Sequence, residues 1–163
     1  MKVEASFPRA LKILTALEEE TRTLGSLLGK GLRAGDVLCL YGAMGAGKTV
    51  LVQGIARGLA GRKAIEARSP SFVLIARYPS VPPLYHIDLY RLEGEREIAE
   101  LGLEEYFYGD GVTVVEWAEK LGRERPERRL DITFTITRER ARLIEIEGHP
   151  ELSEPICQAL GEL

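Results

Sequence analysis

The chain of 163 residues has no asparagine, only two cysteines and a single tryptophan. Without asparagine it cannot carry the Asn-Lys-x-Asp motif with which a GTPase reads guanine, so that class of switch is excluded. The number and spacing of Cys39 and Cys157 suit neither a metal site nor a disulfide framework. We therefore expect both cysteines to act as small apolar side chains.

Long apolar runs and a basic net charge are missing as well. No stretch approaches the roughly 20 apolar residues that span a bilayer, and the N-terminus lacks the apolar core of a signal peptide. We therefore expect a cytoplasmic protein with no membrane segment. The net charge of −3 provides no field that would draw the chain onto nucleic acid. We expect no direct DNA binding, and contact with RNA only through partner proteins.

Hydrophobic residues make up 45% of the chain, which is enough for one core in a protein too short for two ordinary domains. No internal repeat, low-complexity tract or long linker divides the sequence. We predict a single domain over residues 1–163.

Residues 42–49 read Gly-Ala-Met-Gly-Ala-Gly-Lys-Thr, a complete GxxxxGK(S/T) phosphate-binding loop. An apolar run precedes it, and apolar residues recur at helical spacing behind it. A strand, a glycine-rich turn and a helix in this order aim backbone N–H groups and the positive end of a helix dipole at one point, where a polyphosphate can bind. We predict that Lys48 reaches the β- and γ-phosphates and that Thr49 ligates Mg²⁺. The predicted nucleotide-binding residues of the loop are Gly42, Ala43, Gly45, Ala46, Gly47, Lys48, Thr49 and Val50.

The spacing of apolar residues predicts strands that alternate with helices. Capping-box spacing at Thr15 and Glu18 opens a predicted helix over residues 16–32, and a second helical pattern covers residues 95–107. Predicted strands cover residues 37–41, 72–78, 84–87 and 112–115, and the C-terminal third adds paired strands at 130–137 and 141–146 and a short helix near 153–162. The pattern predicts an α/β protein with a P-loop NTPase fold: a mostly parallel sheet with flanking helices and a C-terminal antiparallel strand pair.

Two acidic residues, Asp88 and Glu116, each directly follow an apolar run of the predicted sheet. Ligands of parallel α/β sheets bind outside the carboxyl ends of the strands, so parallel neighbours would bring both carboxylates to the phosphate loop. Mg²⁺ that bridges the β- and γ-phosphates needs hard oxygen ligands opposite Thr49. We predict Thr49 and Glu116 as metal ligands. We predict Lys48 and Asp88 as catalytic residues, with Asp88 orienting the attacking water or a metal-bound water.

Residues next to these acids have two interpretations each. His86 shares a strand face with Asp88, so it either forms a hydrogen bond near the site or is a half-buried histidine satisfied by backbone. Arg91 either stabilises transition-state charge or, as we favour, forms a surface salt bridge. We favour packing over a nucleotide platform for Trp117. The hydroxyl-bearing turn 69–72 gives a weak signal for a nucleotide-sensing loop.

Four motifs in this order resemble the TsaE (YjeE) family of bacterial ATPases: the phosphate loop, Ser69-Pro-Ser-Phe72, His86-Ile-Asp-Leu-Tyr-Arg91 and Val115-Glu-Trp117. Members of that family work with the TsaB and TsaD proteins in making threonylcarbamoyladenosine at the tRNA adenosine next to the anticodon. They hydrolyse ATP to support turnover of the TsaB–TsaD complex and do not perform the carbamoyl transfer themselves. The resemblance implies that this chain is a Mg²⁺-dependent ATPase, slow alone, that meets tRNA indirectly through that complex.

The resemblance also implies contacts on the far side of the nucleotide. The N-terminal helix, through Glu18 or Thr21, looks like part of the adenine side of the pocket, and Arg142 resembles a C-terminal nucleotide contact. Two positions depart from the family pattern. Ser71 replaces the usual threonine of the turn and keeps its hydroxyl, whereas Val50 replaces a second threonine behind the lysine, so no hydroxyl there contacts a phosphate.

Two other functions remain open from the sequence. A small P-loop kinase needs an acceptor pocket and usually a mobile Arg-rich lid, and the one lid candidate, residues 123–129, has alternating charges that favour a solvated connection. Alternatively, the site mainly senses nucleotide, and its ATP state gates docking to a partner, as in other γ-phosphate switches. A nucleotide sensor would use the same residues as the ATPase.

Overall fold

The computed structural model describes residues 1–6, 10–61, 66–68, 70, 73–152, 156 and 160. The predicted turn 69–72, apart from Pro70, and the predicted helix near 153–162, apart from residues 156 and 160, lie outside this range. The strands are β1 (Lys2–Ser6), β2 (Ala10–Thr15), β3 (Val37–Tyr41), β4 (Ile75–Tyr78), β5 (Leu84–Asp88), β6 (Val112–Glu116), β7 (Leu130–Ile136) and β8 (Arg142–Gly148). The helices are α1 (Glu18–Gly31), α2 (Lys48–Ala60), α3 (Glu95–Ala99) and α4 (Glu104–Phe107), and a 3₁₀ segment covers Ala118–Glu124. No described helix is long and apolar enough to cross a membrane.

The centre of the sheet is parallel, as predicted. The described strands form one sheet in the order β1-β2-β8-β7-β3-β6-β5-β4. In it β3 is parallel to β6 and to β7, and β5 is parallel to β6. Leu40 of β3 and Asp88 of β5 both pair with Glu116 of β6. The carboxyl ends of three neighbouring strands therefore meet at one edge of the sheet.

The flanks of the sheet are antiparallel, so the prediction of a mostly parallel sheet is wrong. Among the seven pairings of the described strands, four are antiparallel: β1 with β2, β2 with β8, β7 with β8 and β4 with β5. The predicted C-terminal pair is confirmed as β7 and β8. The sequence-based prediction misses β1 and β2, although buried Leu11, Ile13 and Thr15 alternate with exposed Lys12 and Leu14 in β2, the pattern of a half-buried strand.

Helix α1 confirms the helix predicted over residues 16–32, but the predicted capping box is wrong. Thr15 ends β2, and its hydroxyl oxygen lies 2.8 Å from that of Thr21, so it does not cap the helix. Instead, the carboxylate of Glu20 accepts hydrogen bonds from the backbone N–H groups of Ala16 and Leu17 at 2.6 and 3.2 Å. Glu20 thus caps the N-terminus of α1 from within the first turn, where the helix dipole favours negative charge.

Positive φ angles divide one predicted element and shorten another. The helix predicted over residues 95–107 is two short helices, α3 and α4, with Gly102 between them at a φ of 63°. The strand predicted over residues 72–78 begins at Ile75, because Leu74 has a φ of 63° and leaves the extended conformation. Gly102 is a local signal for the first bend, whereas Leu74 gives no such signal for the second.

The first two helices pack with their backbones in contact. Gly25 and Gly29 of α1 face Gly54 and Gly58 of α2, and a Cβ on Gly25 would lie 2.3 Å from the carbonyl oxygen of Leu51. Because Gly25 is next to Gly54 and Gly29 is next to Gly58, the two helices run in the same direction. Their N-termini therefore lie together, which brings the start of α1 to the phosphate loop.

The core lies on both faces of the sheet. Helices α1 and α2 cover one face with residues such as Leu24, which is fully buried. The two short helices and the 3₁₀ segment cover the other face with residues such as Ile98 and Phe107. Cys39 packs into this second cluster, and burial raises its pKa to about 12. It therefore stays a neutral thiol that packs as a small apolar side chain, as predicted.

Candidate nucleotide-binding site

The phosphate loop connects β3 to α2, as predicted. Gly42 and Gly47 have φ angles of 138° and 109°, which residues with a Cβ rarely adopt, and a Cβ on Gly42 would lie 2.8 Å from the carbonyl oxygen of Phe134. Helix α2 begins at Lys48, so the N–H groups of its first turn have no partner within the helix and can bind an anion. The local backbone therefore fits a phosphate group.

Lys48 is folded back onto the loop. Its Nζ donates hydrogen bonds to the carbonyl oxygens of Gly42 at 2.5 Å and Ala43 at 2.9 Å, and it lies 4.3 Å from the centre of the Trp117 ring. Lys48 is only 4% exposed. This desolvation lowers its pKa, whereas nearby negative charges, Glu116 first among them, act in the opposite direction. The ammonium group is thus a buried cation that neutral carbonyl groups hold close to an anion site.

The carboxylate of Glu116 lies in a buried hydrogen-bond network. Glu116 is 3% exposed, and Thr49 Oγ1 lies 2.9 Å from its Oε1 and 3.3 Å from its Oε2. His86, which is fully buried, has its Nε2 2.8 Å from the same Oε1. The two predicted metal ligands are therefore in contact across 67 residues of sequence. His86 therefore contacts Glu116, a side chain of the site, as well.

The donor atoms of this network suit a hard divalent cation. A hydroxyl and a carboxylate offer oxygen ligands, the type that Mg²⁺ prefers. The described part of the chain contains no group of three or more His, Cys, Asp or Glu side chains that could hold a metal ion by itself. A cation at this position would therefore take most of its ligands from phosphate and water, as Mg²⁺ does in nucleotide sites.

Asp88 lies beside Glu116 at the same edge of the sheet. The two residues pair in register at the ends of β5 and β6, and Asp88 Oδ1 accepts a hydrogen bond from the backbone N–H of Tyr90 at 3.0 Å. This contact holds the carboxylate against the chain that follows β5. Both acids line one cavity with the phosphate loop, as predicted.

The cavity has a volume of about 410 Å³, within the range of small-molecule sites. It has two parts, a floor and a rim. The floor consists of Lys48, Thr49 and Glu116, with His86 beneath them. The rim consists of the more exposed residues Glu18, Met44, Leu74, Tyr90 and Arg142. The predicted residues that line the cavity are Glu18, Gly45, Gly47, Lys48, Thr49, Val50, Asp88, Glu116 and Arg142.

Thr21 is a predicted nucleotide contact that the structure does not place at the cavity. Its side chain is 1% exposed, and its hydroxyl pairs with that of Thr15 at 2.8 Å, because this face of α1 packs towards β2. Of the two residues predicted in α1, Glu18 is the one that lines the cavity. Three predicted loop residues lie next to the cavity without lining it: Gly42, Ala43 and Ala46.

The order of the sheet explains why Glu18 and Arg142 meet at one cavity. Strand β2 pairs with β8 so that Thr15 is opposite Arg142, and α1 begins three residues after Thr15, at Glu18. Arg142 Nε also lies 3.7 Å from the position that a Cβ on Gly47 would take. Strand β2, which the sequence prediction missed, therefore brings Glu18 and Arg142 together at the rim.

Five other residues line the cavity, and the sequence prediction missed three of them. Trp117 has a φ of 59°, and its ring packs between Lys48 Nζ and the Tyr90 ring, with 4.9 Å between ring centres. The favoured packing role agrees with these contacts. Arg91 also lines the cavity. Tyr90 and Met44 could have been found from their places in the motif with Asp88 and in the phosphate loop, whereas nothing in the local sequence marks Leu74.

The stretch predicted as a lid candidate, residues 123–129, lies away from the cavity. Arg128 Nη1 bonds to Asp36 Oδ1 at 3.1 Å, and Arg129 Nε bonds to Asp131 Oδ1 at 2.9 Å. Asp36 precedes β3, at the opposite end of that strand from the phosphate loop. No residue of this stretch lines the cavity. The structure therefore offers no support for a kinase lid here.

Comparisons with known proteins agree with one another. The family model described as "Threonylcarbamoyl adenosine biosynthesis protein TsaE" matches residues 15–144. A tRNA threonylcarbamoyladenosine biosynthesis protein TsaE from Bacillus subtilis is 39% identical over 154 residues, which cover 94% of this chain and 95% of that protein. Another from a Nostoc species is 43% identical over 140 residues, which cover 83% of this chain and 84% of that protein.

A solved structure is similar as well. The crystal structure of Bacillus subtilis YdiB matches with a TM-score of 0.79 at 35% sequence identity, covering 97% of this chain and 98% of that one. The family model covers most of the chain, and these relatives match it over most of their own length. The chain therefore belongs to the TsaE family, which takes part in tRNA threonylcarbamoyladenosine biosynthesis.

Proposed function

We propose that this protein binds ATP with Mg²⁺ and hydrolyses it to support threonylcarbamoyl modification of tRNA, acting with the TsaB and TsaD proteins. The observation that carries the proposal is the 2.9 Å contact between Thr49 of the phosphate loop and Glu116 at the end of β6. A P-loop NTPase holds its Mg²⁺-nucleotide with these two parts. We assign the chain to that fold, as one domain over residues 1–163.

The floor supplies the positive potential that a triphosphate needs. Helix α2 begins at the loop and has no acid in its first turn, so its dipole favours negative charge there. Lys48 now bonds to the neutral carbonyl groups of Gly42 and Ala43, and phosphate oxygens would be stronger, charge-assisted partners. During hydrolysis the ammonium group stabilises charge that develops on the β- and γ-phosphates.

The acids at the strand ends supply the remaining roles. Thr49 and Glu116 would hold the Mg²⁺, which would neutralise phosphate charge. Asp88 orients the water whose oxygen attacks the γ-phosphorus while the bond from that phosphorus to the β–γ bridging oxygen breaks. We expect Asp88→Asn to bind ATP but to support little tRNA modification. Normal modification by this variant in a reconstituted system would overturn the role of Asp88.

The proposal that ATP turnover depends on a partner protein is supported by exposed apolar side chains at and near the rim. Met44 is 64% exposed at the rim, Leu17 is 65% exposed next to Glu18, and Val73 is 74% exposed next to Leu74. Each of the three is at the rim or next in sequence to a rim residue, and large exposed apolar patches mark surfaces where another protein binds. A partner that covered them would close the cavity over the nucleotide and exclude water from the reacting phosphates.

The experiment is a comparison of ATP hydrolysis in three mixtures: the protein alone, the protein with the TsaB–TsaD complex, and both with tRNA. We expect slow hydrolysis alone, a clear increase with the complex, and modified tRNA only when ATP is present. If none of the three mixtures consumed ATP, the proposal would be contradicted.

A single-turnover measurement separates the ATPase from a nucleotide sensor. We expect one equivalent of bound ATP to be hydrolysed faster when the TsaB–TsaD complex is present. For a sensor, docking to the complex would depend on ATP, but the rate of that single turnover would be the same with and without the complex.

A further inference from the structure

His86 is a fully buried polar residue that the proposed function leaves without a role. It lies opposite Val114 of β6, and Val114 is two residues before Glu116, on the same face of the sheet. His86 and Glu116 are thus diagonal neighbours on adjacent strands, a spacing that aromatic and long side chains can bridge. The 2.8 Å contact between His86 Nε2 and Glu116 Oε1 is this bridge.

The surroundings of the imidazole ring define which nitrogen carries the proton. A carboxylate only accepts hydrogen bonds, so His86 Nε2 carries a proton and donates it to Glu116. His86 Nδ1 is buried and has no hydrogen-bond partner among the described residues. The ring therefore donates a hydrogen bond from Nε2 to the Glu116 carboxylate.

The contact with His86 restricts the orientation of the Glu116 carboxylate, which the Thr49 hydroxyl alone does not fix. The Thr49 hydroxyl is close to both oxygens of Glu116, at 2.9 and 3.3 Å, so it does not by itself select one of them. His86 contacts Oε1. With His86 bonded to Oε1 and Thr49 within hydrogen-bond distance of both oxygens, the carboxylate is held in a single orientation.

We propose that His86 is a positioning residue, which holds the Glu116 carboxylate in the orientation that Mg²⁺·ATP requires. The inference rests on the proposed function, because it assigns Glu116 to the metal. Removal of a hydrogen bond that orients a metal ligand typically changes metal affinity or activity by about 10- to 100-fold. The effect should fall on the Mg²⁺-dependent part of ATP binding, since metal-free ATP depends on Lys48 and the loop.

Two amide variants separate positioning from packing. The side-chain nitrogen of glutamine reaches the position of the imidazole Nε2, whereas that of asparagine ends near the position of Nδ1. His86→Gln therefore keeps the donor and His86→Asn loses it, although both bury an amide. Calorimetric titration with ATP, once with Mg²⁺ and once with a chelator, measures the gain in affinity due to Mg²⁺. We expect H86Q to keep this gain within about threefold and H86N to lose about tenfold or more, with equal metal-free affinities.

Several results would overturn the proposal. If H86N kept the wild-type gain, Glu116 would not need this donor, and the ATPase proposal would still stand. If H86Q lost as much as H86N, His86 would be a packing residue. If the wild-type protein bound no ATP with or without Mg²⁺, this inference and the proposed function would both be wrong.

A spectroscopic test keeps His86 itself and does not depend on how the His86 variants fold. The chain has only two histidines, His86 and His149, so His149→Gln assigns their signals in nitrogen-15 NMR spectra. We expect a proton on His86 Nε2 and a shift of the Nε2 resonance when Mg²⁺ is added to the ATP complex. A bare Nε2, or a resonance that Mg²⁺ does not move, would overturn the positioning role.

Discussion

The floor and the rim of the cavity differ in how their side chains are held. Lys48 and Glu116 of the floor are 4% and 3% exposed, and each takes part in hydrogen bonds of 2.9 Å or shorter. At the rim, Met44 is 64% exposed and Glu18 is also exposed. Charges interact more strongly where water is excluded, and a buried partner left unpaired is costly. We therefore expect the floor to decide whether phosphate binds and reacts, and the rim to adjust affinity.

The largest expected effect comes from the lysine of the floor. Lys48→Ala removes a buried cation from the phosphate site, and truncating one partner of a buried charged pair costs 2–5 kcal/mol. We expect calorimetry to show ATP affinity lower by about 100-fold, roughly 3 kcal/mol. Lys30→Ala, at an exposed lysine in the last turn of α1, is the matched control and should stay close to wild type. Wild-type affinity in the Lys48 variant would show that phosphate does not bind at the floor.

The acid of the floor should affect hydrolysis more than binding. Glu116→Gln keeps the shape of the side chain but removes the charge that we propose faces Mg²⁺. Stabilisation of transition-state charge by a metal is worth several kcal/mol, so we expect the partner-stimulated ATPase rate to fall roughly 100-fold while ATP still binds. Glu119→Gln, at an exposed acid that does not line the cavity, is the control. An equal loss in both variants would indicate a general effect of charge and would contradict a metal-ligand role for Glu116.

The close packing of α1, which carries Glu18 of the rim, against α2, which carries Lys48 of the floor, should affect stability. Gly25→Ala places a Cβ 2.3 Å from the carbonyl oxygen of Leu51 in α2, so α1 must move away. Overpacking of this kind typically costs 1–3 kcal/mol, and we expect the free energy of unfolding in urea to fall by about 2 kcal/mol. Gly31→Ala is the control, because a Cβ there meets nothing within 4 Å. A variant at Gly25 as stable as the control would mean that the helices do not need backbone contact.

The smallest expected effect lies at the rim. Arg142→Gln removes a half-buried charge that lines the cavity, and partly solvated charges contribute about 1 kcal/mol or less. We expect ATP affinity to fall by only about threefold, with a stronger effect at low salt because screening weakens exposed charges. Arg138→Gln, in the exposed turn between β7 and β8, should be neutral. If Arg142→Gln lowered ATP affinity as much as Lys48→Ala, the expected difference in effect between rim and floor would be contradicted.

The floor was predictable because its signals are local. The phosphate loop is one contiguous motif, and Glu116 and Asp88 directly follow runs that form central strands, so their positions at the sheet edge follow from chain order. His86 was placed on the correct face by its spacing from Asp88. Whether it bonds near the site or to backbone was left open, because its contact with Glu116 depends on the register between β5 and β6.

Glu18 and Arg142 of the rim were predicted only through family resemblance, which left Glu18 and Thr21 as alternatives on α1. Glu18 lines the cavity, whereas Thr21, three residues later, faces β2 and bonds to Thr15. The direction in which a helix residue points depends on which neighbour the helix packs against, and β2 was not predicted. Met44 and Leu74 reach the cavity through loop conformations, and the left-handed φ of Leu74 has no sequence signature of the kind that glycine provides.

By itself, the sequence of this protein determined a phosphate loop between a strand and a helix, two acids at the ends of apolar runs, and a pair of C-terminal strands. Only the tertiary structure decided that the sheet is mixed, that α1 and α2 start side by side, and that Glu18 and Arg142 share one cavity. The physical reason is that strand pairing is made by backbone hydrogen bonds, which every residue except proline can form. Local side-chain patterns therefore mark where strands occur, but long-range packing selects which strands become neighbours and in which direction they run.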